Sequence, residues 1–378
     1  MSFSATSNRP AAPAGVIPDL PGVVVDPSRV AELRTSVAQL LGLPNERFPG
    51  AQPVSFLERH IADLEAEDFF VCEKSDGVRC LVYAVVNPRG QPETYLIDRK
   101  NNYRFVPNLQ FPNPPDRQPP PFHNGTLFDG ELVVDQEPDG RSYMTMYCFD
   151  LLASSGENLM PRSLMSRLGY LKEHVIRPYQ RLVESNPRFA QAQPFRVVAK
   201  SMELSYGLNK VLREDIPKLK HKNDGLIFVS VKSPYIPGTT EKMLKWKPAH
   251  ENSVDFRVNL EYPQGGGLSA RPRFVLSAWQ GGQNYVQFGE LGLTDEEWNH
   301  FRQNGIQLEN RIVEVTYNPD HCPPAQWQFM RFREDKPHAN FITVVERVIQ
   351  SIREGITQDE LMSRCPSIRE SWKARPRS

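Results

Sequence analysis

The sequence predicts an α+β protein of two domains: antiparallel sheets flanked by helices, followed by a small β-barrel and a helical tail. Three observations carry this expectation. The chain has 378 residues, more than one domain of about 100–200 residues needs. Hydrophobic spacing changes from helical to strand-like near residue 68. Beyond Pro248 the texture changes again, to short strands set off by glycine- and proline-bearing turns.

The elements follow in order. Residues 1–20, rich in proline and alanine, read as a flexible arm. "PSRVAELRTSVAQLLG" (27–42) has helical spacing and a glycine where the helix should stop. "SFLERHIADLEAE" (55–67) reads as a second helix capped by Ser55, with Glu58 three residues on. "FFVCEKSDGVRCLVYAVV" and "TYLIDRKNNYRFV" read as strands around short turns. "TLFDGELVVD" and "YMTMYCFDLLA" form a strand pair joined through "EPDG". "FPNPPDRQPPPF" (111–122) holds too many prolines for a central strand and reads as an exposed insert. Helical segments return at 161–185, and "FRVVAK", "DGLIFVSV" and "KMLKWKP" are again strand-like.

After a hinge expected near 247–252 come "VDFRVNLEY", "RPRFVLSAW", "NYVQFGEL", "RIVEVTYN" and "WQFMRFRED", interrupted by one helix-like stretch, "TDEEWNHFRQNG". Five short strands with one helix fit a small barrel, the OB-fold being the commonest. The expected domains are therefore 21–248, an OB-fold at 249–340, and a helical segment at 341–378 packing back on the first domain.

Composition sets limits on partners. Lys+Arg and Asp+Glu both number 45, so any nucleic acid must meet a local basic patch rather than a global field. No apolar run approaches the roughly 20 residues of a membrane span. The start lacks the order of a signal peptide. Five scattered cysteines without a CxxC pair suggest reduced thiols rather than a disulfide or zinc framework.

The chemistry-bearing residues are each ordinary alone. Lys74 interrupts a strand and is followed at once by Asp76-Gly77 and Arg79. A lysine attacks only when deprotonated, from a free pKa of about 10.4, and desolvation and cationic neighbours both ease that loss. Gly77 is expected to give a phosphate close access to backbone, and Arg79 to point a guanidinium fork into the same space. Asp129 and Glu131 share a strand face, as do Lys245 and Lys247 around Trp246. Asp224 stands at the start of a buried strand, where it could carry a metal. "MRFREDKPHAN" (330–340) alternates Arg331 and Arg333, followed by Asp335 and Lys336.

Taken in this order, KxDGxR, a DGE strand, an aromatic-Asp strand, DG-apolar, KWK and RxRxDK, the chain resembles the covalent nucleotidyltransferase superfamily. That superfamily contains mRNA capping guanylyltransferases and ATP- or NAD-dependent polynucleotide ligases. "MLKWKP", "RFREDK", "DRKNNYRF" and "SMELSYGL" look like the capping branch, and fungal capping enzymes in particular. The resemblance runs from about residue 21 to about residue 360.

The resemblance implies a nucleotidyltransferase domain ahead of the OB-fold. It also implies a lysyl-N–GMP intermediate on Lys74, formed from GTP and passed to the 5′-diphosphate end of nascent RNA. Arg79 and Glu131 match contacts to the ribose, and Phe149 matches the aromatic that stacks on guanine. Glu73, Asp76, Gly77 and Arg99 complete the expected GTP-binding set, with Lys200 as candidate donor to guanine O6. Lys245 and Lys247 match lysines that grip the α-phosphate. Asp224 and Asp129 are the expected carboxylates for Mg²⁺ or Mn²⁺. Arg331, Arg333, Asp335 and Lys336 would reach the β- and γ-phosphates on domain closure. The same resemblance implies a separate RNA triphosphatase subunit, docking on the phosphorylated C-terminal domain of RNA polymerase II, and a nuclear location.

Two alternatives stay open on the residues alone. One is an ATP-dependent polynucleotide ligase, which shares KxDGxR and the fold. The other is a non-catalytic RNA- or polymerase-binding relative, whose barrel aromatics Trp279, Tyr285 and Trp327 would stack on single strands.

Overall fold

The computed structural model describes residues 17–114, 121–248, 251–264, 270–318, 321–323 and 326–376. Most of the expected N-terminal arm, the centre of the proline-rich insert and residues 249–250 of the expected hinge lie outside the described residues. The chain divides into two compact units. One comprises 1–54, 62–246 and 362–378, and the other 55–61 and 247–361.

The first unit is built on two sheets. The larger runs in the order Val23–Val24, Tyr103–Phe105, Pro92–Asp98, Val78–Val86, Thr126–Gln136, Ser142–Ser154, Arg196–Ala199. Neighbours are antiparallel except the last, which lies parallel to Ser142–Ser154. Both faces of this sheet are covered. Val82, Ala84 and Leu96 pack with Leu171, Val175 and Tyr179 on one side. Leu81, Tyr83, Tyr95 and Ile97 pack with Leu33, Val37 and Leu41 on the other. This explains why "CLVYAVV" is apolar throughout rather than alternating. Each such side chain, fully buried, stabilises by about 1.5–3 kcal/mol before ordering costs.

The smaller sheet runs Glu203–Leu204, Phe69–Ser75, Asn223–Ser230, Gly238–Trp246, Ala51–Ser55. The helix Pro27–Leu41 begins and ends as its sequence dictates: Asp26 caps it, accepting from Ser28 N–H, and Gly42 closes it at φ 62°. The second expected helix is shorter than its pattern suggested. It starts at His60, and Ser55 is the last residue of an edge strand rather than a cap. Leu57 N–H donates to His60 Nδ1 (2.8 Å), which turns the chain between strand and helix.

The second unit is a five-stranded antiparallel sheet ordered Asn284–Glu290, Arg273–Gly281, Ser253–Glu261, Ile312–Tyr317, Trp327–Phe332. A bridge between Leu291 and Trp327, with Gly292 N–H donating to Trp327 O (2.7 Å), joins its two edges into the expected barrel. The helix Asp295–Gln303 is capped by a reciprocal Thr294–Glu297 box.

The tail is helical but divided. In Ile342–Arg353, which belongs to the second unit, the residues Ile342, Val345 and Ile349 form one apolar stripe that packs into the barrel core. Cys365–Ala374 belongs to the first unit, where Arg375 donates to Asp68 Oδ1 (2.6 Å) and Trp372 meets Tyr206. All five cysteines are free, and no helix among the described residues is long and apolar enough to cross a membrane.

Candidate active site

Phe69–Ser75 is an inner strand of the smaller sheet, and its register fixes which side chains share a face. Cys72 pairs with Ile227, and Ile227 pairs with Lys245. Partners across a ladder point the same way, and Lys74 lies two residues beyond Cys72. Lys74 and Lys245 therefore stand on one face. Lys74 Nζ donates to Asp224 Oδ1 at 2.6 Å, with the two side chains 26% and 17% exposed. A register shift between Asn223 and Leu226, with Gly225 at φ 141°, turns Asp224 toward the lysine. Burial pushes the Cys72 thiol up to about 12, so it is no rival thiolate at neutral pH.

The other end of the motif behaves differently. Arg79 is buried and gives its fork to Asp129, at 3.0 Å from Nε and 2.6 Å from Nη2. Tyr235 O–H donates to Asp129 Oδ2 (2.6 Å), and Arg79 Nη1 also donates to Ala51 O. Arg79 and Asp129 stand on neighbouring strands of the larger sheet, and the Arg79 bond to Ala51 O reaches across to the smaller one. Asp129, wholly buried and bonded through both oxygens, is not a metal ligand.

Gly77 is also explained by packing rather than phosphate access. A Cβ there would run into Leu132 O and lie 2.7 Å from Val133 Cγ1. Asp76 shapes the turn through backbone: its N–H donates to Lys222 O (2.9 Å) while its side chain is exposed.

Glu131 pairs across the larger sheet with Arg79 on one side and Tyr147 on the other. Burial raises its carboxyl above the usual range, against the pull of Arg99, Lys200, Lys74 and Arg79. Four cations expected from sequence thus act electrostatically on one carboxylate. Phe149 is the extra residue of a bulge between Cys148 and Asp150, half-buried, with the Arg79 guanidinium 5.6 Å from its ring centroid.

Lys200 is not presented alone. Its Nζ meets Glu73 Oε1 (2.9 Å) and Ser75 Oγ (2.7 Å), so Glu73 holds Lys200. Ser75 Oγ lies 3.0 Å from His221 Nε2, and His221 Nδ1 lies 2.8 Å from Asp135 Oδ1. The sequence reading missed Ser75, His221, Asp135 and Tyr235. Their partners lie up to 184 residues away in the chain, and no periodicity signals them.

Lys247 and the motif at 331–336 belong to the second unit. There Arg331 pairs with Glu314 (2.6 Å), Arg333 with Asp255 (3.0 Å) and Asp335 (2.7 Å), and Lys336 with Asp255. Arg333 holds the Asp335 carboxyl well below its usual range. Trp327 is in the barrel core, wedged against Phe256 and Phe288, and cannot stack on a strand.

Among the described residues no three His, Cys, Asp or Glu gather as a metal cluster. A divalent ion of the Mg²⁺ class is instead commonly held by one or two carboxylates together with substrate phosphates. Asp224, partly exposed beside Lys74, fits that mode.

A lysine–carboxylate pair on the face of a second lysine, with a buried carboxylate under the influence of further cations beside it, suits a nucleotidyltransferase. Sequence comparison is specific. Residues 18–249 match the mRNA capping enzyme catalytic domain, and residues 251–362 match its C-terminal domain. The mRNA-capping enzyme subunit alpha of Schizosaccharomyces pombe is 39% identical, over 93% of this chain and 88% of that protein. The Neurospora crassa protein of the same name is 40% identical over 96% and 95%. Among solved structures, mycobacterial DNA ligase D complexed with ATP aligns at TM-score 0.39 and 19% identity, over 76% of this chain and 95% of that one.

The chain belongs to the mRNA capping enzyme family. Its activity is that of an mRNA guanylyltransferase, a nucleotidyltransferase.

Proposed function

We propose that Lys74 is the covalent carrier of GMP. The observation that carries this reading is the 2.6 Å Lys74–Asp224 pair on the face shared with Lys245. Nζ gives up a proton and forms an N–P bond with the α-phosphorus of GTP, while the α–β bridging P–O bond breaks onto departing pyrophosphate. A terminal oxygen of an RNA 5′-diphosphate then attacks that phosphorus, the N–P bond breaks and the nitrogen takes up a proton. Asp224 orients the amine, and Lys245 neutralises charge on the phosphate. Phe149 offers a flat face to the guanine, while Glu131 and Arg99 serve the sugar side.

Asp224 would hold Mg²⁺ or Mn²⁺, which when bound offsets the charge of the triphosphate. Relatives named subunit alpha support a partner subunit. We assign that partner to the RNA triphosphatase, and propose a nuclear enzyme docked on the phosphorylated polymerase tail.

The test is labelling with α-labelled nucleotide. GTP should label the protein, ATP should not, and the label should chase onto 5′-diphosphate RNA. Lys74→Ala and Lys74→Arg should both lose the adduct with circular dichroism unchanged, because arginine stays protonated. Labelling by ATP instead of GTP would overturn the reading.

A further inference from the structure

The barrel unit carries a second built cleft, of about 420 Å³, lined by Arg257, Tyr285, Arg311, Arg333, Lys336 and His338 among others. Its wall is a fixed sequence of planar groups. Trp279 and His338 stack with ring centroids 4.5 Å apart and an interplanar angle of 1°. Tyr285 O–H and His338 Nδ1 are 3.2 Å apart. The Arg257 guanidinium lies 3.5 Å from the Tyr285 ring centroid.

Three of the four cations in the cleft have carboxylate partners. Arg311 is paired with Glu334, Arg333 with Asp255 and Asp335, and Lys336 with Asp255. Arg257 differs: it stacks on Tyr285, and its buried Nε has no hydrogen-bond partner among the described residues. Among the described residues no carboxylate pairs with Arg257, so its charge stands unopposed on the wall of the cleft and suits an incoming phosphate.

We propose that this cleft binds the acceptor RNA as a single strand, with Arg257 meeting a backbone phosphate and His338, backed by Trp279, stacking on a base. Planar rings alternating with cations suit single-stranded nucleic acid, where stacking is tolerant of sequence and phosphates supply the charge. Opposing carboxylates at Arg311, Arg333 and Lys336 keep the empty cleft from being strongly basic, consistent with a zero net charge on the whole chain. The site goes beyond the Lys74 chemistry but rests on the reading that RNA is the acceptor.

The experiment uses the full chain, charged with α-labelled GTP and chased with 5′-diphosphate RNA. Arg257→Ala, Arg257→Glu and His338→Ala should form the labelled adduct at the wild-type level. Their KM for RNA should rise about tenfold or more, and the salt dependence of RNA binding should lose about one unit of slope in Arg257→Ala. His338→Phe should recover most of the loss, because it restores a ring without the imidazole nitrogens.

An unchanged KM in Arg257→Glu would overturn the proposal. So would an equal rise for a nucleoside diphosphate acceptor, which has no strand to bind, or a parallel loss of the adduct itself. Failure of the wild-type protein to label with GTP would instead overturn the assignment of Lys74, and the two failures are thereby distinct.

Discussion

Lys74–Asp224 and Arg79–Asp129 are ion pairs of the same length, 2.6 Å, and their cations come from a single motif. Their surroundings are opposite. The first pair is 26% and 17% exposed, the second 5% and 0%. A group that must lose a proton and meet a nucleotide needs access and a partner it can leave. A group that locks two sheets needs a dry site and a full set of bonds. Arg79 has that set, from Asp129, Ala51 O and a Tyr235 O–H that braces the same carboxylate. The difference separates the reacting end of KSDGVR from the end that holds it still.

Asp129→Asn tests the rigid side of this contrast and should have the largest effect on stability. It leaves a buried guanidinium uncompensated, a loss of about 3–5 kcal/mol, read as a fall in Tm of the first unit. If that variant melts like wild type, the pair is not structural.

Asp224→Asn tests the reactive side. Its pair is partly solvated, so the cost to stability should stay within about 1 kcal/mol, while adduct formation falls and its Mg²⁺ requirement weakens. A drop in Tm as large as that of Asp129→Asn would erase the distinction.

The smallest effect is expected at Glu131, whose carboxyl is raised by burial despite its four cationic neighbours. The folded state then holds that proton more tightly than the unfolded chain. Stability is lost as pH climbs from the free carboxylate value through the raised one, and it is fully retained below both. Glu131→Gln should match wild type in Tm at the acid end and melt above it at neutral pH, with adduct formation impaired. The same Tm difference at every pH would refute this.

Much of the first unit was legible because its strands obey local rules. Gly42 stops the first helix, "EPDG" turns the hairpin, and alternation or continuous apolarity marks strands covered on one face or both. Lys74, Asp224 and Lys245, which the structure brings to one place, each sit in a short motif with its own spacing. Other assignments failed where a residue's partner is remote. Gly77 looked like a phosphate turn but is small because Leu132 and Val133 crowd it. Trp327 looked like a surface aromatic but fills the barrel. Ser55 looked like a cap because the strand it ends pairs with residues nearly two hundred positions later.

The sequence by itself determined the order of strands and helices, the lysine motif and the family to which the chain belongs. All three rest on spacing within a few residues or on the succession of short motifs. Tertiary structure decided which charges face solvent and which are locked away. It turned Asp129 from a metal candidate into the anchor of Arg79, and joined Asp135, His221, Ser75, Lys200 and Glu73 behind the lysine. It also left Arg257 stacked on Tyr285 with a donor unmet. The physical reason is that the role of a charge depends on its desolvation and its partner, and both are set by segments that meet only when the chain folds.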